Sequence, residues 1–368
     1  GKGNGEVKVK CEENFLGKER QTELSFTSSN GGKHLATVIV RQGTRGYHIS
    51  KDYSRDNEVI TLQRSTKGTG IDIVILGEAF VDTDMDEGGR YELTLGKCLE
   101  AIFSIEPMTS LKDYFNVYGI KCISENDRLG EGMSTKFDVK RDGRSLANAD
   151  HTIISSFAAQ HAPVADPEKM MVVVMVNDRE YGGGAYITGR HSGVGFASTM
   201  YGEESITGTY FEYLVIHEAV GHAYAKLTDE YGEGLGEAPP GIEFSILYMR
   251  EELGYMQNID YTNNPEQVIW SQFLELDYPN VGIFEGCYGY EQGIWRSSET
   301  SAMRTQSMEF NPVCREIIMR KTYTMAGEEY DFEKFIQYDR TNIAPMRPAS
   351  KVLKPADPSA IPGVITGR

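Results

Sequence analysis

Two rhythms of apolar and polar positions divide this chain. From residue 5 to about residue 66 the period is two. VKVKC and TELSFTSS alternate, LATVIVRQ and EVITLQR are rich in β-formers, and Asn30-Gly31-Gly32 punctuates them as a turn. This pattern predicts a small all-β, sandwich-like module over residues 1–66. A linker-like stretch follows at Ser65–Gly70, and then the apolar runs become continuous. IDIVILGEAF (71–80), YFNVYGIKCIS (114–124) and MMVVVMVND (170–178) read as buried strands, with helical stretches at 91–105 and 145–160 between them. A strand apolar on both faces needs cover on both. The prediction for residues 67–368 is therefore an α/β domain, a β-sheet flanked by helices. Beyond residue 205 helices predominate among loops rich in Gly and aromatics, and from Ala344 a Pro-rich tail is expected to run extended over the surface.

Composition narrows the function classes. At 368 residues and 40% hydrophobic, the chain can bury a sizeable core. It has no apolar run long enough for a transmembrane helix. Its first residues, Gly1-Lys2-Gly3, show no signal peptide, so targeting is not read from them. A formal net charge of −17 argues against nucleic-acid binding, which needs a basic face. Solubility explains the charge; a preference for cationic substrates is the sharper alternative. The five cysteines, Cys11, Cys98, Cys122, Cys287 and Cys314, form no C-x-x-C pair and no disulfide framework. Cys287 with Cys314 is the one pair worth testing for a bridge; buried free thiols are the expectation.

Three stretches invite a chemical reading. YGGGAYITG (181–189) follows an apolar strand but lacks the frame of a phosphate-binding loop. It reads as a turn or hairpin, or as a loop beside a substrate cleft. Asp82 to Gly88 (DTDMDEG) resembles the start of a calcium loop, but its Gly is out of place and Leu93 stands where a Glu is needed. An acidic helix N-terminus fits it better. The third is IHEAVGH (216–222), inside a helix predicted over 208–226. In H-E-x-x-H the two His share a helix face and reach one metal. Here three residues separate Glu218 from His222, so the imidazoles diverge by roughly 140° on an ideal α-helix. A single π-type turn absorbs one extra residue, and Gly221 eases it. An alternative register uses Glu218 and His222 as ligands and orphans His217. Asp229 follows the second His by seven residues and serves as a third ligand once the helix ends, with Glu230 its rival. Three protein ligands and an open position suit a hydrolytic zinc.

VIHEAVGHAYAKLTDEY resembles the zinc helix and Leu-x-Asp-Glu-Tyr segment of the bacterial IgA-peptidase family of zinc metallopeptidases. IDIVILGEAF, LKDYFNVYGIKCIS, VVVMVNDREYGGG, VGIFEGCYGYEQGIWRSSETSAMR and FNPVCRE extend the likeness over about residues 70–325. The resemblance implies a zincin-like, metzincin-like fold, Zn²⁺ held by His217, His222 and Asp229, and Glu218 as the catalytic acid-base. It implies that Met303 lies in a Met-containing turn beneath the metal, with Arg296 and Tyr290 near the cleft. Two departures stand out: the extra helix residue, and Lys226 where the family commonly has Gly. HEAVGH is similar to the H-E-x-x-G-H motif of the dipeptidyl-peptidase III family, whose lengthened helix still binds zinc. NGEVKVKC to VIVRQG resembles the later strands of bacterial BACON-type β-sandwich modules, usually appended to extracellular enzymes.

These readings converge on a secreted or cell-envelope zinc peptidase. Its expected partner is a polypeptide substrate, host or cell-surface glycoproteins among the candidates, held by an edge strand at 192–197 (SGVGFA). A catalytically degenerate, metal-containing scaffold protein of the envelope is the alternative, and a zinc amidase acting on cell-wall peptides the third.

Overall fold

The computed structural model describes residues 9, 20–27, 34–42, 46–200, 209–232, 234–343 and 364–366. It divides into two compact units, Gly1–His48 and Ile49–Arg368. In the first, strands β1 (Arg20–Thr27) and β2 (His34–Gln42) form an antiparallel ribbon. Apart from Val9, the expected VKVKC strand lies outside the described residues.

The second unit is built on a mixed seven-stranded sheet. Its strands are β3 (Val59–Gln63), β4 (Ile71–Glu78), β5 (Phe115–Ile120), β6 (Met171–Val176), β7 (Gly183–Ile187), β8 (Gly193–Ser198) and, near the C-terminus, β12 (Val364–Thr366). They lie in the order β12-β7-β8-β6-β4-β5-β3. β4, β5, β6 and β8 run parallel, β3 pairs antiparallel with β5, and β7 antiparallel with β8. EVITLQR, read from the sequence as part of the N-terminal module, supplies β3 and so belongs to this sheet. Its alternation is that of a half-exposed edge strand, which a small sandwich would share.

The continuous apolar strands are buried on both faces, as their composition demands. All eight residues of β4 and all six of β6 are buried. Ile71, Ile73, Ile75, Met171, Val173 and Met175 pack on one side, with residues of the helices Arg90–Ile102 and Pro312–Ala326. Val74, Leu76, Val172, Val174 and Val176 pack on the other, with Ile154 and Ala158 of the helix His151–His161. The period-two split of one strand between two cores is what a covered sheet requires.

β8 corrects the edge-strand expectation. SGVGFA supplies an interior strand between β6 and β7, with every residue of Gly193–Ser198 buried. Its glycines serve packing instead. A Cβ on Gly195 would lie 2.7 Å from Ala219 Cα, and one on Gly193 would overlap Ala223 O. Two bare positions on one face let a helix backbone close directly onto the strand.

Helices do follow residue 205, at Ile242–Leu253, Pro312–Ala326 and Phe332–Asn342. Between them stands a three-stranded antiparallel sheet of β9 (Ile259–Asp260), β10 (Phe284–Cys287) and β11 (Tyr290–Arg296). The β10–β11 turn places Tyr288 and Gly289 at positive φ, 55° and 78°. The Gly- and aromatic-rich stretch read as loop is thus a hairpin. Cys98, Cys122, Cys287 and Cys314 are buried free thiols, so Cys287 and Cys314 are not bridged.

Candidate metal centre

The extra residue of HEAVGH is absorbed by a change of helix type. An α-helical segment, Thr209–Leu214, passes into a π-helix over Val215–Tyr224, all ten residues of which are buried. The sequence suggested one π turn; the structure extends it over the whole motif. In a π-helix each N–H reaches back five residues, as Ala225 N does to Val220 O at 2.9 Å. Residues five apart therefore stand one turn apart, and His217 and His222 face the same way. Gly221 faces Met303, whose sulfur a Cβ there would overlap.

After the π-helix the chain turns back at Lys226, a non-glycine residue at φ +64°. Glycine adopts that left-handed backbone at less cost than a residue with a side chain. The Lys226 ammonium, fully buried, donates to Ala223 O at 2.9 Å and to Ser192 O. The turn returns Asp229 to the histidines. His217 Nε2 lies 3.1 Å from His222 Nε2, and each lies 3.2 Å from Asp229 Oδ1.

The second ring nitrogens decide what this triangle can hold. His217 Nδ1 donates to Ala302 O and His222 Nδ1 to Leu227 O, both at 2.8 Å. A carbonyl can only accept, so each imidazole carries its proton on Nδ1 and presents a bare lone pair at Nε2. Tyr213 Oη donates to the same Ala302 carbonyl at 3.2 Å and braces it. Three buried acceptors then converge, and among the described residues Asp229 Oδ1 has no hydrogen-bond donor. Such a cluster is repulsive unless a cation sits among it. With zinc–ligand bonds of about 2.0–2.1 Å, tetrahedral donors sit roughly 3.3 Å apart, close to the separations here. The donor set and spacing therefore fit a metal ion.

Glu218 takes a different direction. It is fully buried, and among the described residues neither carboxylate oxygen has a hydrogen-bond partner. It lies against the start of β7, where a Cβ on Gly183 would meet Glu218 Cγ and Oε1 at 2.9 Å. Burial, and then the charge of Asp229, push its pKa well above the carboxylate range. Glu218 is thus beside the triangle and not a member of it, and His217 is not orphaned.

Glu230, the rival third ligand, points away into a polar cage. Asn258 Nδ2 donates to its Oε1 at 2.9 Å, Asn311 Nδ2 to both oxygens at 3.0 and 2.9 Å, and the Cys314 thiol to Oε1 at 3.2 Å. Its own N–H donates to Met303 O at 2.8 Å. One residue so ties together the Asp229 loop, the Met303 loop and the N-cap of the helix Pro312–Ala326. Sequence reasoning missed Asn258, Asn311 and Tyr213; only Tyr213, four residues before His217, carried a signal. Arg296 donates to Ser298 O at 3.0 Å and to the carbonyls of Glu285 and Gly286, so it braces β10 and β11. Tyr290 lies in β11 and pairs with Cys287. Asp82 and Asp84 accept backbone N–H bonds, from Lys51 at 2.7 Å and from Val81 at 3.0 Å.

No curated protein matches the chain. A family model described as IgA Peptidase M64 matches residues 60–279, which is more than half of the chain and spans the sheet, the π-helix and Asp229. The chain belongs to the IgA Peptidase M64 family, and is a peptidase by that membership.

Proposed function

We propose that the chain is a zinc-dependent peptidase with a zincin-like active site. The observation that carries this reading is the triangle of His217, His222 and Asp229, three lone pairs held 3.1–3.2 Å apart in a buried site. Two imidazoles and one carboxylate suit zinc in a hydrolytic site. Bound there, the ion would supply Lewis acidity, polarising the scissile carbonyl and acidifying water. The rest of the chemistry falls to the chain. Glu218 accepts the proton of the attacking water and returns it to the departing amine. Its buried place beside the triangle, outside the ligand set, suits a group that must take a proton in one step and give it up in the next. The Ala302 and Leu227 carbonyls fix the tautomer of both imidazoles. The antiparallel β7 beside Glu218 supports the zincin-like reading.

We take the peptidase unit to be residues 49–368 and not 67–368, because β3 belongs to its sheet. Secretion or residence in the cell envelope is part of this proposal and rests on the resemblance of the N-terminal segment to modules of extracellular enzymes. The test is Glu218→Gln. The variant is expected to keep its metal and lose hydrolysis of a quenched-fluorescent peptide library. Wild-type turnover in that variant overturns the mechanism.

A further inference from the structure

Among the described residues, half of the buried side-chain polar atoms without partners belong to Glu218 or to the residues around Tyr181. They include both Glu218 oxygens, Tyr181 Oη, both amide atoms of Gln306 and Arg144 Nη1. Tyr181 is near enough to feel the charges of Glu218 and Arg144, and the Gln306 side chain lies beside its hydroxyl without a well-formed bond. Native interiors leave few such groups unsatisfied, and a cluster of them needs an explanation.

The backbone shows that Tyr181 is held in place. The Arg141 guanidinium donates to Tyr181 O at 3.1 Å, to Glu180 O at 3.0 Å and to Asp178 Oδ2 at 2.6 Å, fixing the turn before β7. Its ring packs edge-on against Tyr210, with centroids 5.9 Å apart. Gly183 lets the strand start against Glu218, since a Cβ there would be 2.9 Å from the carboxylate. The YGGG stretch is thus a device that brings one hydroxyl to the acid-base residue.

We propose that Tyr181 is a catalytic residue whose hydroxyl donates to the carbonyl oxygen of the bond being cut as negative charge develops there, and that Gln306 pairs with a neighbouring peptide group of the substrate. A side-chain amide with one donor atom and one acceptor atom both unsatisfied matches a peptide unit, which offers one C=O and one N–H. A buried hydroxyl with no formed hydrogen bond among the described residues is free to donate to an oxyanion. The inference rests on the peptidase reading and adds to it the group that answers the developing charge.

The test uses the full chain loaded with zinc, with Tyr181→Phe, Gln306→Leu and Glu218→Gln assayed side by side on the peptide library. Tyr181→Phe is expected to keep its metal and melting temperature, and to lose about 10²–10³-fold in kcat with little change in KM. A phosphinic peptide built on the best-cut sequence, followed by calorimetry, should bind Tyr181→Phe more weakly by a similar factor. Gln306→Leu should raise KM and leave kcat nearly unchanged. If Tyr181→Phe turns over within threefold of wild type while Glu218→Gln is dead, the Tyr181 assignment falls and the peptidase reading stands. Loss of metal or of fold in Tyr181→Phe also overturns it, by showing a structural role. An active Glu218→Gln overturns the acid-base role of Glu218, a wild type that cuts nothing in the library overturns the proposed zinc-peptidase function, and either outcome takes the inference with it.

Discussion

Replacing Glu230 with alanine is expected to be among the most damaging single changes near the site, although Glu230 is placed as no metal ligand. The cage points two amide nitrogens and a thiol at its carboxylate. Asn258 keeps one bond, from Nδ2 to Thr228 O at 2.9 Å, but loses the other. Asn311 loses both bonds made by Nδ2. Each buried donor left unpaired costs about 1–3 kcal/mol, and the thiol adds little. Two amides and a partly collapsed cavity give a loss of roughly 3–6 kcal/mol, a large share of the ~5–15 kcal/mol of a typical domain. Glu230→Gln keeps the shape and one oxygen where the donors converge, at a cost of roughly 1–2 kcal/mol. Urea unfolding followed by circular dichroism measures both, with metal content read on the same samples. Glu230→Gln should retain its metal and Asp229→Ala should lose it. The reasoning is refuted if Glu230→Ala stays within about 1 kcal/mol of wild type, or if the metal follows Glu230 and not Asp229.

Two other perturbations follow from the geometry. Gly195→Ala would press a Cβ onto Ala219 Cα and N at 2.7 and 2.9 Å, so the π-helix must move; a loss of about 1–3 kcal/mol and weaker metal binding are expected, and unchanged unfolding would contradict the close-packing argument. Burial pushes Glu78 up to about 7, despite hydrogen bonds from Thr135, Val139 and Phe137. A folded-state value above the unfolded one favours the protonated form, so this contribution to stability is full below pH ~4.5 and fades by about 3 kcal/mol as pH rises through 7. The wild type minus Glu78→Gln difference in unfolding free energy should show that fall, and a flat difference would sink the assignment.

The grouping of the candidate ligands was legible because metal ligation restricts residue types and spacing. His217, His222 and Asp229 stand together in the fold as in the sequence reading. The choice between Asp229 and Glu230 was not legible, since adjacent acids look alike until their surroundings are known. Glu230 is recognised by donors at residues 258, 311 and 314, distant in sequence. The length of the π-helix was hidden for a related reason. The π-helix packs with Met303 over Gly221 and with the β8 glycines against Ala219 and Ala223, contacts no local pattern encodes. Strand patterns gave burial faithfully but not position. Alternation could not tell the sheet edge β3 from a separate module, and the apolar SGVGFA run could not tell the interior β8 from an edge. Tyr181 lay in a stretch whose glycines read as a loop, whereas Gly183 admits Glu218 and Gly184 packs on Ala147.

The measurement that bears most directly on the central claim is zinc content by elemental analysis of purified wild type, Glu218→Gln and His222→Ala. A cation-shaped triangle predicts about one zinc per chain in the first two and none in the third. Wild type that takes up no zinc from an excess, or His222→Ala that keeps a full complement, would show that His217, His222 and Asp229 are not the metal site.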